Sequence, residues 1–399
     1  MEPPPSTDKI EEKVAAPPAG TVLQVLPALV TGGVERGTID VALALKDAGF
    51  RALVASSGGP MQRELSRAGI DHIELPLASK NYFTMRSNAE ELAKIIHREG
   101  VDIIHARSRA PAWSAYWASQ RTGIRFVTTF HGTYNLDLPF KRYYNSVMTR
   151  ADRVIAISEF IRRHIMDIYQ PDAARIRVIH RGVDMDLYSG EKVSAERLIR
   201  LSERWRLPDG VPVIMLPGRM TRWKGQKLLL KALSIMSTRP VRCLLVGDSQ
   251  GRDGYVQEVE ALARRLGVDD VVHAVGDCDD MPAALKLADI VLSASTDPEA
   301  FGRVAVEGQA MGRIVIAPRH GAAEEQIEDG VTGWLFRPGD AYDLANALDR
   351  ALEMPPERRA EMGDASIRNA RERFTKTGMC AATLDVYREL LHAPAVNAA

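Results

Sequence analysis

The sequence predicts an α/β protein built from two doubly wound, parallel-sheet domains that face each other across a cleft. Three observations predict it. The chain is 399 residues long, past the size at which a single hydrophobic core keeps growing. Short apolar runs alternate with segments of helical period almost from end to end. That rhythm lapses once, over residues 187–210, where the text turns charged and helical around Pro208, and then starts afresh.

The first series has strand-like runs at 21–27, 51–55, 101–105, 125–130, 153–157 and 175–179, with helical text at 34–46 and 60–68 between them. Runs rich in Val, Ile and Leu, apolar on both faces, are what a parallel sheet covered by helices requires. The second series runs 211–216, 241–246, 271–275, 290–294, 314–317 and 333–336. The expected organisation is a disordered tail over 1–20, a first domain over 21–186, a linker over 187–210 and a second domain over 211–376. A terminal helical stretch over 377–399 is placed to cross back onto the first domain. The tail reading rests on five prolines and mixed charge in twenty residues without an apolar core.

Composition excludes several classes. Lys+Arg and Asp+Glu both total 52, so no global basic field points to nucleic acid. Only Cys243, Cys278 and Cys380 occur, far apart in the chain, which argues against a disulfide framework and fits a reducing cytoplasm. Apolar runs stay well short of the roughly 20 residues that a bilayer-spanning helix needs.

The chemistry should lie in the loops that follow strands, because open parallel sheets bind ligands beyond the carboxyl ends of their strands. The first such loop holds Gly32 and Gly33 before a helix, where backbone N–H groups can approach a phosphate, although taken alone it also reads as a tight βα turn. It lacks the G-x-G-x-x-G spacing of a dinucleotide site, which removes the main support for an oxidoreductase. The loop after 211–216 places Arg219 and Lys224 beside a helix entry, two cations suited to a diphosphate, although taken alone it also reads as a solvated basic loop. The loop after 290–294 carries Glu299, with Glu307 about two turns into the next helix, two carboxylates that can each accept paired hydroxyls. Without context, such a pair is ordinary helix-surface charge.

Taken together, these loops resemble the retaining glycosyltransferases of group 1 and family 4, which have the GT-B fold of two Rossmann-like domains. The resemblance spans residues 21–387. It rests on Gly32-Gly33-Val34-Glu35, Phe130-His131-Gly132-Thr133, Gly182-Val183-Asp184, Gly218-Arg219 with Lys224-Gly225, Glu299 to Glu307 as the E-x7-E element, and Gly330-Val331-Thr332-Gly333. It implies that Arg219 and Lys224 hold the donor pyrophosphate, Glu299 the hexose hydroxyls and Glu307 the ribose. Phe301, Gly302 and Arg303 would offer backbone to sugar and phosphate, Gly32 and Gly33 would close on the donor, and His131 would stand beside the reacting sugar. Arg181 stands where many relatives have Asn, and residues 308–313 replace the usual small-residue run, so the donor stays open between a GDP- and a UDP-hexose.

Asp277-Cys278-Asp279 has the look of a metal-binding D-x-D, but it falls where the resembling family has a loop near the nucleotide base. No metal and no cofactor are expected. No carboxylate offers itself as a nucleophile on the far face of the sugar, and the resemblance implies same-face attack with the departing diphosphate accepting the proton. For the acceptor, Phe140, Tyr143, Tyr144, Val147 and Met148 fall on one helical face with Lys141 and Arg142 elsewhere, while Arg107 and Arg109 follow the 101–105 run and Lys80 and Arg86 flank Tyr82 and Phe83. These cations predict a lipid-linked or lipopolysaccharide-type acceptor and peripheral contact with an anionic inner membrane, although taken alone the helix also reads as one packed on its own sheet with a solvated basic side. The first-domain text resembles transferases of lipopolysaccharide core and related glycolipids. A sugar-nucleotide epimerase and a non-catalytic sugar-nucleotide scaffold are the alternatives.

Overall fold

The computed structural model describes residues 19–238 and 240–393, so the tail expected over 1–20 lies almost wholly outside the described residues. Two parallel sheets form the frame, one of seven strands and one of six. The first contains β1 (Thr21–Val25), β2 (Arg51–Ser56), β3 (Asp71–Glu74), β4 (Ile103–Ala106), β5 (Arg125–Phe130), β6 (Arg153–Ala156) and β7 (Ile176–Val178). Its order is β3-β2-β1-β4-β5-β6-β7. The second contains β8 (Val213–Pro217), β9 (Arg242–Val246), β10 (Val272–Gly276), β11 (Ile290–Leu292), β12 (Ile314–Pro318) and β13 (Trp334–Phe336), in the order β10-β9-β8-β11-β12-β13.

Helices cover both faces. Those of the first half are α1 (Gly33–Asp47), α2 (Gln62–Arg67), α3 (Tyr82–Glu99), α4 (Arg109–Thr122), α5 (Pro139–Ser146) and α6 (Glu159–Tyr169). Then come α7 (Ala195–Trp205), α8 (Gln226–Ile235), α9 (Asp253–Leu266), α10 (Met281–Leu287), α11 (Arg303–Ala310) and α12 (Ala323–Gln326). The chain finishes with α13 (Ala341–Leu352), α14 (Pro356–Arg373) and α15 (Lys376–His392). The two doubly wound domains expected from the rhythm are present, and each sheet reverses its strand order once, between β1 and β4 and between β8 and β11. Crevices open at such reversals, because the loops leaving the two central strands diverge to opposite faces.

One strand has no counterpart among the apolar runs of the sequence. The β3 segment, Asp-His-Ile-Glu, is an edge strand whose residues are all exposed or half-buried, so it has no apolar run to betray it.

The segment between the domains is not a free connection. Its helix α7 buries Leu201 and Trp205, and Arg197 holds Asp280, the N-cap of α10, through two hydrogen bonds of 2.9 and 2.6 Å. The chain returns to the first domain where Val183 pairs in parallel with Thr375. Here the Val183 N–H donates to Phe374 O at 2.8 Å and the Lys376 N–H donates to Val183 O at 2.9 Å. Gly182 is dictated by this crossing, since a Cβ there would stand 2.4 Å from the Thr375 carbonyl oxygen.

Helix α15 then completes the first domain's core. Met379, Leu384, Tyr387 and Leu390 join the cluster of Val22, Leu26, Ile39 and Leu45. Fully buried Tyr387 meets Nδ1 of equally buried His105 at 2.6 Å, while Thr129 Oγ1 takes the other ring nitrogen at 2.7 Å. Glu389 accepts from Arg153 (Nε, 2.9 Å) and Arg177 (Nη2, 2.6 Å), closing the far end. Tyr387→Phe strips the buried imidazole of one partner and should destabilise the protein by about 1–3 kcal/mol in chemical denaturation.

Candidate active site

The loop after β8 is shaped by two glycines. Gly218 and Gly225 have φ of 154° and 76°, the latter in the left-handed region that only glycine enters without strain. A Cβ on Gly225 would meet the Ala294 carbonyl oxygen at 1.8 Å, so this turn lies directly on the loop that leaves β11. Thr296 N–H donates to Trp223 O at 2.7 Å across the same contact. Buried Gln226 fixes the approach by donating to Arg219 O at 3.1 Å and accepting from the Tyr255 hydroxyl at 3.0 Å. The Arg219 side chain is left exposed in the cleft mouth.

On the facing loop, Glu299 is held by its backbone and its carboxylate. Ala322 N–H donates to Glu299 O at 3.0 Å, and Gly321 (φ 63°) lets the loop after β12 press in, since a Cβ there would be 2.6 Å from that oxygen. Lys224 Nζ reaches Glu299 Oε1 at 2.7 Å, with both side chains largely buried. The Ser293 hydroxyl donates to the same oxygen at 3.3 Å, and Ser295 donates more closely. Burial pushes the Glu299 carboxyl up, but the Lys224 charge and these hydrogen bonds outweigh it and hold the group below its usual value. Lys224 also sits 4.4 Å from the centre of the Trp223 ring.

The first domain supplies the opposite wall. Gly33, Val34, His131, Gly132, Thr133, Ile157 and Arg181 enclose, with Gly218, Arg219, Lys224, Glu299, Phe301, Gly302 and Arg303, a cleft of about 680 Å³, a volume in the range of small-molecule sites. Burial, together with the charges of Arg181 and Arg107, drives the His131 imidazole well below its ordinary pKa, so it stands neutral at pH 7. Its Nε2 has no partner among the described residues. The two walls are clasped beside the cleft. Ser158 Oγ donates to Ala300 O at 2.6 Å, and Glu325 accepts the N–H groups of Glu159 (2.7 Å) and Phe160 (3.1 Å) at the start of α6, with His180 Nε2 at 2.9 Å.

Several residues singled out in the sequence lie elsewhere. Gly32 precedes α1 outside the cleft lining. Glu307 is also outside it: the side chain is buried on α11 and paired with Arg303 at 2.6 Å, one helical turn away. Arg107 is turned inward and buried, with Nε 3.0 Å from Gln24 Oε1, so it is not the cleft cation that its place after β4 suggested. Arg109 donates to Asn145 Oδ1 at 3.0 Å and stacks over Tyr134 at 4.3 Å. Lys141 lies 3.9 Å from Asp137, and Arg142 donates to Ile168 O at 2.8 Å. The expected single apolar face around α5 is split, because Val147 and Met148 are buried while Phe140 and Tyr143 are 84 and 62% exposed. Of the D-x-D-like segment, Asp279 faces Arg204 at 3.8 Å on the surface. The sequence motifs did not single out Ser293, Ser295 or the His180–Glu325 pair; the two hydroxyls just ahead of Glu299 were the available signal.

The arrangement offers fixed cations and backbone amides to an anion beside a carboxylate suited to hydroxyl groups. The profile described as Glycosyltransferase Family 4 matches residues 31–187, and that described as Glycosyl transferases group 1 matches residues 199–371. A D-inositol 3-phosphate glycosyltransferase of Xylanimonas cellulosilytica is 30% identical over 303 residues, 72% of each chain. The chain belongs to this glycosyltransferase family. A crystal structure of a glycosyltransferase from Rickettsia africae superposes with a TM-score of 0.88 at 40% identity, covering 94% of this chain and 99% of that one. Anabaena HepE in complex with UDP and glucose superposes with a TM-score of 0.81 at 25% identity, covering 93 and 100%. The fold is the GT-B arrangement of these glycosyltransferases.

A carboxyl held below its unfolded value adds stability that is fully present above that value and is lost as pH falls through the folded one. Lys224→Met leaves Glu299 buried without its cation and should cost about 3 kcal/mol near neutrality. Urea denaturation across the acidic range should show that deficit shrinking as pH falls, to its smallest below the folded-state value of Glu299.

Proposed function

We propose that the protein is a retaining, metal-independent glycosyltransferase that moves a hexose from a nucleoside-diphosphate sugar to a lipid-linked or lipopolysaccharide-type glycan. The observation that carries the reading is the buried Lys224–Glu299 pair, 2.7 Å apart, facing Gly33 and His131 across a cleft enclosed by both domains. In this reading Lys224 and Arg219 neutralise the diphosphate as it departs, which is where charge grows in the transition state. Glu299 orients the sugar hydroxyls. Closure of the two walls over bound substrates would exclude water that could otherwise hydrolyse the donor. Glu307 takes the ribose once Arg303 swings from it toward the phosphates, completing the E-x7-E element. Among GDP- and UDP-hexoses, the complex of HepE with UDP and glucose favours UDP-glucose as the first donor to try.

A surface of the first domain supports the membrane-borne acceptor. Phe83 and Tyr82 at the start of α3 join Trp117 and Trp113 of α4 and Tyr143 of α5, with ring centres 5.3–5.8 Å apart along the chain of contacts. Arg86 stacks over Trp117 at 4.8 Å and Arg150 over Tyr143 at 5.1 Å. Of these rings Tyr82, Phe83 and Tyr143 are exposed, over buried Trp113 and half-buried Trp117, and exposed aromatics beside cations suit the interface of an anionic bilayer. Among the described residues no helix is long and apolar enough to cross a membrane.

Calorimetric titration of UDP, GDP, UDP-glucose and GDP-mannose should find one nucleotide family that binds, with Glu307→Ala weakening it about tenfold, or 1.4 kcal/mol. Failure of all four at millimolar concentration overturns the donor site. Lys224→Ala should lower turnover on the order of 10²-fold, and proton NMR of the product should show the donor's anomeric configuration. Sedimentation with vesicles should show binding to phosphatidylglycerol-rich membranes, weak binding to phosphatidylcholine, and loss in a Phe83→Ser/Phe140→Ser double variant.

A further inference from the structure

Arg181 follows β7 and is 7% exposed, yet it borders the cleft beside Gly33 and His131. A guanidinium carries five N–H donors. Among the described residues its one hydrogen bond goes to the Gly33 carbonyl oxygen, and no carboxylate of those residues lies within ion-pair distance of it. The surrounding charges do not cancel. Arg36 is paired with Glu64, Arg303 with Glu307 and Lys376 with Asp184, which leaves buried Arg107 and Arg181 facing only the more distant Asp40. Arg107 is accounted for by Gln24 and by the carbonyl of Gly37. Arg181 is not.

The chain has been shaped around this guanidinium. A Cβ on Gly37 would stand 2.5 Å from Arg181 Nη1, so the absence of a side chain at position 37 of α1 makes the space it occupies. Beside it, the buried His131 Nε2 has no partner among the described residues. Burying a cation without a counter-charge costs several kcal/mol, and a planar fork of donors matches a phosphate or carboxylate through two parallel hydrogen bonds.

We propose that Arg181, with His131 beside it, forms a subsite on the first-domain wall of the cleft for a phosphate group carried by the acceptor. The assignment to the acceptor rests on the proposed function above, in which Arg219 and Lys224 on the opposite wall hold the donor's diphosphate. Burial, with the charges of Arg107 and Arg303, lowers Arg181 to about 9, the direction expected of a cation awaiting an anion. A phosphate there restores the balance of charge and lies on the same wall as His131.

The test titrates inorganic phosphate into UDP-saturated protein by calorimetry, for the wild type, Arg181→Gln and Arg181→Lys. The expected result is millimolar binding to the wild type, at least tenfold weaker in Arg181→Gln, less weakened in Arg181→Lys, with UDP affinity held within about twofold. Competition between phosphate and UDP, together with UDP affinity lost in Arg181→Gln, would assign the anion to the donor's diphosphate and overturn the acceptor subsite. Equal phosphate binding by wild type and Arg181→Gln, or none by the wild type, overturns it as well. If the wild type binds no UDP, the donor reading fails by itself, and phosphate titration of the free protein still decides whether Arg181 holds an anion. Should the glutamine variant fold poorly, Arg181→Lys keeps the charge but loses the planar fork, and phosphate binding in it as tight as in the wild type overturns the subsite.

Discussion

A buried lysine–glutamate pair joins the loops leaving the two central strands of the second sheet, and the geometry of the cleft follows from it. Lys224 can reach Glu299 because Gly225 allows the two loops to touch at Ala294 and because Gly321 lets a third loop brace the Glu299 backbone from behind. An ion pair in this position gains little net stability over an apolar substitute, but losing one partner leaves the other charge stranded. Its value is positional: it sets a cation for phosphates and a carboxylate for hydroxyls at a fixed separation.

The second constraint is the crossing of the chain between the domains. Val183 and Thr375 pair where residue 182 must be glycine, and the helix that follows, α15, fills the first domain's core through Tyr387 and His105. The first domain is therefore finished by residues that come after the second. Glu325, which belongs to the second domain, caps α6 of the first and is held charged by His180 and two backbone N–H groups even though burial pushes its carboxyl up. A clasp made of one carboxylate on a helix N-terminus fixes the walls while depending on few contacts, which suits a cleft that must admit and release ligands.

Much of this was legible in the sequence for a local reason. Parallel strands covered on both faces announce themselves as apolar runs, so the runs read at 21–27, 51–55, 125–130 and 314–317 coincide with strands to within a residue or two at their ends. The exposed edge strand β3 has no such run and could not be found that way. Glycine-bearing loops were equally readable, since a backbone that must turn sharply or lie against another is restricted in residue type. Gly33, Arg219, Lys224, Glu299, Phe301, Gly302, Arg303 and His131 accordingly share one cleft.

Direction was not legible. Arg107 and Arg181 both follow strands in the sequence, and nothing local tells them apart, yet one is satisfied by Gln24 from a neighbouring strand and the other is left with a single carbonyl. Phe140 and Met148 read as one helical face, but the chain changes to a 3-10 turn at Val147, and Met148 is buried while Phe140 stays exposed. The sequence by itself determined the two sheets, their loops and the residue types offered there, because strand burial and turn geometry depend on neighbours along the chain. Only the tertiary structure decided which charges are cancelled and which face the cleft, because ion pairs and burial depend on residues brought together from far apart in the sequence.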